Sequence, residues 1–216
     1  MTLIKFEDIP VNECGEQLVN LSEYDFVLEP MYFNKGLSND SKMFLRKSVA
    51  DKLLQTQEKL GEYKFKIWDG FRSRSVQKTI YDKFWKELSE AHPDWDEEKL
   101  KIEVGTFASV PNNSNRVPPH ATGAAVDLTL IDQEGKELDM GTAFDYFGPE
   151  ASSLYFEKNY KNEIVRNNRK ILREAMLSAG FSGDKDEWWH FDYKNQKWAA
   201  ELDQNEAIYG ETEVPK

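Results

Sequence analysis

Only one cysteine, Cys14, occurs in the 216 residues, so no internal disulfide can form. A lone thiol with no activating neighbour reads as an inert small residue, and such composition predicts a reducing, cytoplasmic compartment. No stretch approaches the roughly 18 consecutive apolar residues of a membrane span, and MTLIKFEDIPVN lacks the apolar run of a secretory leader. Basic residues are the minority: 28 Lys and Arg stand against 39 Asp and Glu, a formal net charge of -11. That balance excludes nucleic acid and an anionic membrane as main partners, since both call for a basic footprint. Histidine is scarce as well, with only His92, His120 and His190. There is no internal repeat, low-complexity tract or Pro/Gly-rich linker to divide the chain.

What is present is a packed, aromatic-rich composition, with 6 Trp and 13 Phe. A chain of this length buries about 70% of its unfolded surface and needs no metal or disulfide to fold. It reads as one domain over residues 1–216. Residues 42–60 place Leu45, Val49, Leu53 and Leu60 on one stripe closed by Gly61, which predicts an amphipathic helix. KFKIWDG at 64–70 alternates as a short strand ending in an Asp69-Gly70 turn. Ser73 or Ser75 can cap a helix running to about residue 90, and a shorter helix is expected from Asp94 to about Thr106. Residues 109–119, SVPNNSNRVPP, suit neither regular element. Residues 125–131 read as a buried strand, 161–179 as a helix closed by Gly180, and WWHFDY as a further strand. Without regular βαβ alternation, the class is α+β, with a small, mainly antiparallel sheet packed against several helices.

Two histidines sit on this scaffold with acidic company. His120 lies at the mouth of one strand, seven residues before Asp127, and Gly123 between them frees the backbone to turn. His190 sits in another strand, three residues after Glu187 and directly behind Trp188 and Trp189. Imidazoles and carboxylates are ordinary zinc ligands, and three of them leave a coordination position for water, which a nearby non-ligand glutamate can deprotonate. Residues three apart on a regular strand face opposite ways, so Glu187 and His190 share a site only if Glu187 lies on an irregular entry to the strand. The bland alternatives are a strand-edge ion pair for Glu187, a turn cap for Asp127 and a surface pair with Asp69 for Arg72. His92, before a proline at a helix end, is read as outside any site.

HATGAAVD at 120–127 fits an HxxGxAxD element and EWWH at 187–190 an ExxH element. WDGFR at 68–72, AAVDLTLID at 124–132 and LDMGTAFDYF at 138–147 agree in the same order. Together, from about residue 64 to 193, the chain resembles the D-alanyl-D-alanine dipeptidase family of zinc D,D-peptidases, and residues 1–60 match it less clearly, around Tyr24 and Asn34. The resemblance implies one Zn2+ per chain, held by His120, Asp127 and His190. It implies Glu187 as the general base, Arg72 as the stabiliser of the oxyanion and Asp145 as the residue that holds the substrate's amino group. The implied substrate is the dipeptide D-Ala-D-Ala, split into two D-alanines in the cytoplasm; the alternatives are a carboxypeptidase or endopeptidase acting on wall peptides, or a non-catalytic zinc module. Arg74 and Arg116 are candidates by position for the substrate carboxylate. Pro118 stands where the family commonly has serine, and Ser73 where it often has proline.

Overall fold

The computed structural model describes residues 8–107, 117–159 and 162–215. In chain order, β1 (Leu18–Asn20), β2 (Val27–Leu28) and the short α1 (Met31–Asn34) precede β3 (Phe44–Arg46) and α2 (Lys47–Gln57). They are followed by β4 (Lys64–Asp69), α3 (Arg74–Ala91) and α4 (Glu97–Phe107). The second half holds β5 (Ala125–Ile131), α5 (Tyr155–Asn159), α6 (Glu163–Ser178), β6 (Ser182–Gly183), β7 (His190–Asp192) and α7 (Gln196–Glu201). One sheet has the order β2-β4-β5-β7-β6; only the β2–β4 pair is parallel. A second, two-stranded sheet pairs β1 with β3 antiparallel. The fold is α+β, as the mixture of patterns predicts.

Central β5 explains its own composition. Every residue of AVDLTLI is buried, so a near-continuous apolar run is required, and Asp127 and Thr129 are the exceptions. Leu128, Leu130 and Val126 meet Phe65 and Ile67 of β4, Leu172 and Met176 of α6, and Trp189 in one core. The β4–β5 register shifts between Ile67 and Asp69, and Trp68 and Asp69 are both buried there. Such a bulge re-aims side chains that strict alternation would send to opposite faces.

The helix expected over 42–60 is shorter. Phe44–Arg46 forms β3, and the helix runs only from Lys47 to Gln57. Leu45 is buried by strand pairing with Val19, so its place on the helical stripe was coincidental. Arg46 cannot continue a surface helix because its buried guanidinium is spent on the Thr122 and Gly210 carbonyls and on Glu13. At the other end, Gln57 turns inward to receive the Phe65 N–H at 2.8 Å and to donate to the Asp25 carbonyl at 2.6 Å. The Ser73 cap holds, accepting from the Val76 N–H, and α4 begins at Glu97 rather than Asp94. Asn162 caps α6 with its side chain, and Gly180 takes a positive φ of 90° just past the helix end. Of WWHFDY only His190–Asp192 is strand, although the Trp189 carbonyl still accepts from the Leu128 N–H at 3.1 Å. Among the described residues no helix is long and apolar enough to cross a membrane. The segment 109–116, including Arg116, lies outside the described residues.

Candidate metal and active site

Strand register assembles the centre. Asp69 on β4, Asp127 on β5 and His190 on β7 are direct cross-strand partners, so three polar side chains form a row across the middle of the sheet. His120 joins from a short 3-10 turn, Pro119–Thr122, which ends at Gly123 with φ 68°. A side chain at Gly123 would also meet the backbone of β3, since an added Cβ would lie 3.6 Å from Arg46 N. His120, Asp127 and His190 are all buried, and one ligand atom from each lies within 4.8 Å of the others. His120 Nε2 is 3.2 Å from His190 Nδ1 and 3.3 Å from Asp127 Oδ2. His190 Nδ1 is 2.9 Å from Asp127 Oδ1.

The outward nitrogens are held by acceptors, which aims the inner ones. His120 Nδ1 lies 2.7 Å from the Gly70 carbonyl and 3.2 Å from Asp69 Oδ2. His190 Nε2 lies 3.0 Å from Asp192 Oδ2, and Asp192 receives a hydrogen bond from Asn195 Nδ2 at 2.6 Å. Burial disfavours an imidazolium, yet Asp192 and Asp127 outweigh it and raise His190 to about 10. Burial also opposes the Asp127 carboxylate, but His120 and His190 hold it well below the ordinary range. These are the electrostatics of a pocket that favours positive charge between its donors.

Glu187 precedes β7. A turn from the Glu187 carbonyl to the His190 N–H brings the two side chains to one side, with Glu187 Oε2 3.9 Å from His190 Nδ1. The irregular entry needed for this pair is therefore present. Burial, then the negative charge of Asp184, pushes the Glu187 carboxyl well above its usual range. Asp184 is itself ion-paired with the half-buried Lys197.

Arg72 is not a surface arginine. It is buried, its Nε lies 3.0 Å from Asp69 Oδ2, and its guanidinium stacks 4.7 Å from the Tyr32 ring centroid. Its backbone N–H donates to the His120 carbonyl at 3.1 Å, tying the WDGFR turn to the histidine. Asp69 and Arg72 are close but poorly aligned, leaving Arg72 Nε and Asp69 Oδ2 without hydrogen-bond partners. Burial raises Asp69 to about 6 against the opposing pull of Arg72 and His120. Beyond Tyr32 comes Asp145: the Tyr32 hydroxyl donates to Asp145 Oδ1 at 3.0 Å and Lys35 Nζ lies 2.6 Å from Oδ2. Asp145 has a φ of 60°, rare for a residue with a side chain, on a loop pinned by Arg169 to the Met140, Glu150 and Ser152 carbonyls.

Other sequence candidates have partners of their own. Arg74 pairs with Glu211 at 2.7 Å, the Tyr24 hydroxyl bonds Asp51, and His92 stacks on Trp95 at 3.8 Å. Pro118 precedes the 3-10 turn at its cap position, and its carbonyl accepts from the Ala121 N–H at 2.9 Å. Sequence reading missed Asp192, Tyr32 and Lys35. For Asp192 a signal existed: HFD at 190–192 puts it two residues from His190, on the same strand face.

A family model described as D-ala-D-ala dipeptidase matches residues 27–208. A D-alanyl-D-alanine dipeptidase of Synechocystis sp. is 29% identical over 235 aligned positions, covering 95% of each chain. That of Enterococcus faecalis is 30% identical over 135 positions, covering 60% of this chain and 61% of the relative. A solved vancomycin-resistance D,D-pentapeptidase in complex with Zn(II) aligns over 92% of this chain and 93% of its own, at 18% identity and a TM-score of 0.46. With the family match spanning most of the residues, this chain belongs to the D-ala-D-ala dipeptidase family and is a metallopeptidase.

Proposed function

We propose that the chain hydrolyses D-Ala-D-Ala to two D-alanines with one zinc ion held by His120, Asp127 and His190. The observation that carries the reading is the convergence of those donor atoms within 4.8 Å, with the Glu187 carboxyl 3.9 Å from one of them. Two imidazole nitrogens and a carboxylate suit zinc, and each imidazole has an acceptor on its far nitrogen, as ligating histidines usually do. When bound, zinc supplies Lewis acidity, making water nucleophilic near neutral pH and polarising the scissile carbonyl.

The chain's own groups do the rest. Glu187 takes the proton of the attacking water and passes it to the leaving amine; its upward-shifted carboxyl can hold that proton between the two steps. Arg72, buried and ion-paired with Asp69 but with no hydrogen bond from its Nε, donates to the carbonyl oxygen as negative charge develops. Loss of one such donor typically costs about a hundredfold to a thousandfold in rate. Asp145 receives the substrate's amino group.

The test is D-alanine release from D-Ala-D-Ala by zinc-loaded protein, beside L-Ala-L-Ala and a chelator-treated sample. Two D-alanines per dipeptide, with the L,L control and the stripped enzyme inactive, is the expected result. Stoichiometric zinc with no release would overturn the reading.

A further inference from the structure

The group meant for the substrate's amine already has one. Both Asp145 oxygens are engaged, Oδ1 by the Tyr32 hydroxyl at 3.0 Å and Oδ2 by Lys35 Nζ at 2.6 Å. Neither partner is casual. Lys35 is the residue that ends α1, with its backbone N–H bonded to the Met31 carbonyl, so its origin is fixed. Its ammonium lies 5.0 Å from the Phe144 ring centroid and 5.7 Å from that of Tyr32. The Lys35 side chain is 29% exposed and that of Asp145 12%, so the carboxylate is the more buried of the two.

We propose that Lys35 is a specificity-determining residue that occupies Asp145 in place of the substrate's free amino group. The inference rests on the reading of Asp145 given above. A zwitterionic dipeptide must bring its ammonium beside a lysine ammonium or displace it, and like charges in a partly buried site repel. An N-acylated D-alanyl-D-alanine end presents a neutral amide N–H and meets no such repulsion. Lys35 therefore narrows the advantage that a bare carboxylate would give the free dipeptide, and opens the site to the D-alanyl-D-alanine terminus of a longer peptide. Sequence distance hides the pairing, since the two residues are 110 positions apart.

The experiment compares kcat/KM for D-Ala-D-Ala and N-acetyl-D-Ala-D-Ala in the zinc-loaded parent, Lys35→Met, Lys35→Arg, Asp145→Asn and the Lys35→Met/Asp145→Asn double variant. Lys35→Met is expected to raise the free-to-acetylated ratio about tenfold or more, through a lower KM for the free dipeptide. Lys35→Arg keeps the charge and the parent ratio. In the Asp145→Asn background Lys35→Met gives a smaller gain, because it relieves the like-charge repulsion but releases no carboxylate. Lys35→Gln, judged by its thermal melt, serves if Lys35→Met does not fold. An unchanged or lowered ratio in a folded neutral variant overturns the inference alone. A parent that binds zinc and cleaves neither substrate overturns the hydrolytic reading and this inference with it.

Discussion

His190 and Asp192 sit two residues apart on one strand, with His190 Nε2 3.0 Å from Asp192 Oδ2 on the side away from Asp127. The imidazole is thus clamped between two buried carboxylates, and in the metal-free protein it carries a proton up to about pH 10 despite its burial. A metal ligand must offer a lone pair, so zinc binding at neutral pH has to expel that proton. Zinc affinity is therefore expected to rise with pH through the neutral range and level off near 10. Calorimetry in buffers of different ionisation enthalpy should record about one proton released per zinc at pH 7. Binding that releases no proton and ignores pH would mean that the His190 imidazole is already neutral in the metal-free protein.

The same pair governs the acid stability of the metal-stripped protein. Burial disfavours the Asp192 carboxylate, but His190 and Lys197 outweigh it and lower its pKa from 3.8 to about 2. A depressed acid stabilises the fold above its unfolded value and loses that contribution as pH falls through the folded one. His190 is the reverse case: raised from 6.5, it contributes fully below that value and loses the contribution as pH climbs towards about 10. Stability of the stripped protein should therefore be greatest between about pH 4 and 6.5. The acid-side loss is on the order of 2 kcal/mol from Asp192, and the His190 shift reflects the same interaction, so the two do not add. Melting curves from pH 2 to 10 check this; Asp192→Asn should flatten both limbs, and a wild-type profile retained in that variant would place the effect elsewhere.

Glu187 and Asp127 are both acids beside His190, and their substitutions should separate cleanly. Glu187→Gln keeps the shape of the side chain and removes the base, so zinc content stays near one per chain while kcat falls about a hundredfold to ten-thousandfold. Asp127→Asn removes a ligand charge, and zinc itself should be lost on dialysis. Metal analysis of the dialysed proteins, read beside D-alanine release, distinguishes the two roles. Zinc loss in Glu187→Gln would make the glutamate a ligand.

Local chemistry was legible in sequence where the residues concerned lie close together. HATGAAVD shows its histidine, its positive-φ glycine and its aspartate within eight positions, and the buried run of β5 reads directly from AVDLTLI. What failed was local pattern under tertiary override. Leu45 fits a helical stripe but belongs to β3, because Arg46 is needed beside Thr122 and Gly210. The row Asp69, Asp127, His190 depends on a bulge between Ile67 and Asp69 that no periodicity announces. Lys35, Tyr32 and Asp145 meet only because α1 packs against a loop more than a hundred residues on.

Gly123 offers the test of how tightly the fold sets the metal site. Its φ of 68° lies in the left-handed region, and an added Cβ would fall 2.3 Å from Leu18 Cδ2. Gly123→Ala thus incurs a backbone penalty of roughly 1–2 kcal/mol, and Leu18 must also move within the β1–β3 layer. His120 stands three residues before this glycine and Asp127 four after, so displacement here spreads to two of the three candidate ligands. Gly105 is the control: it lies inside α4, and an added Cβ there meets nothing within 4 Å. Gly105→Ala should stabilise by about 0.4–1 kcal/mol through the unfolded chain and leave zinc affinity alone. Gly123→Ala should instead lower the melting temperature by several degrees and weaken zinc binding in the same variant. A melting loss with unchanged zinc affinity would mean that the turn tolerates the shift and that the strand row alone positions the metal.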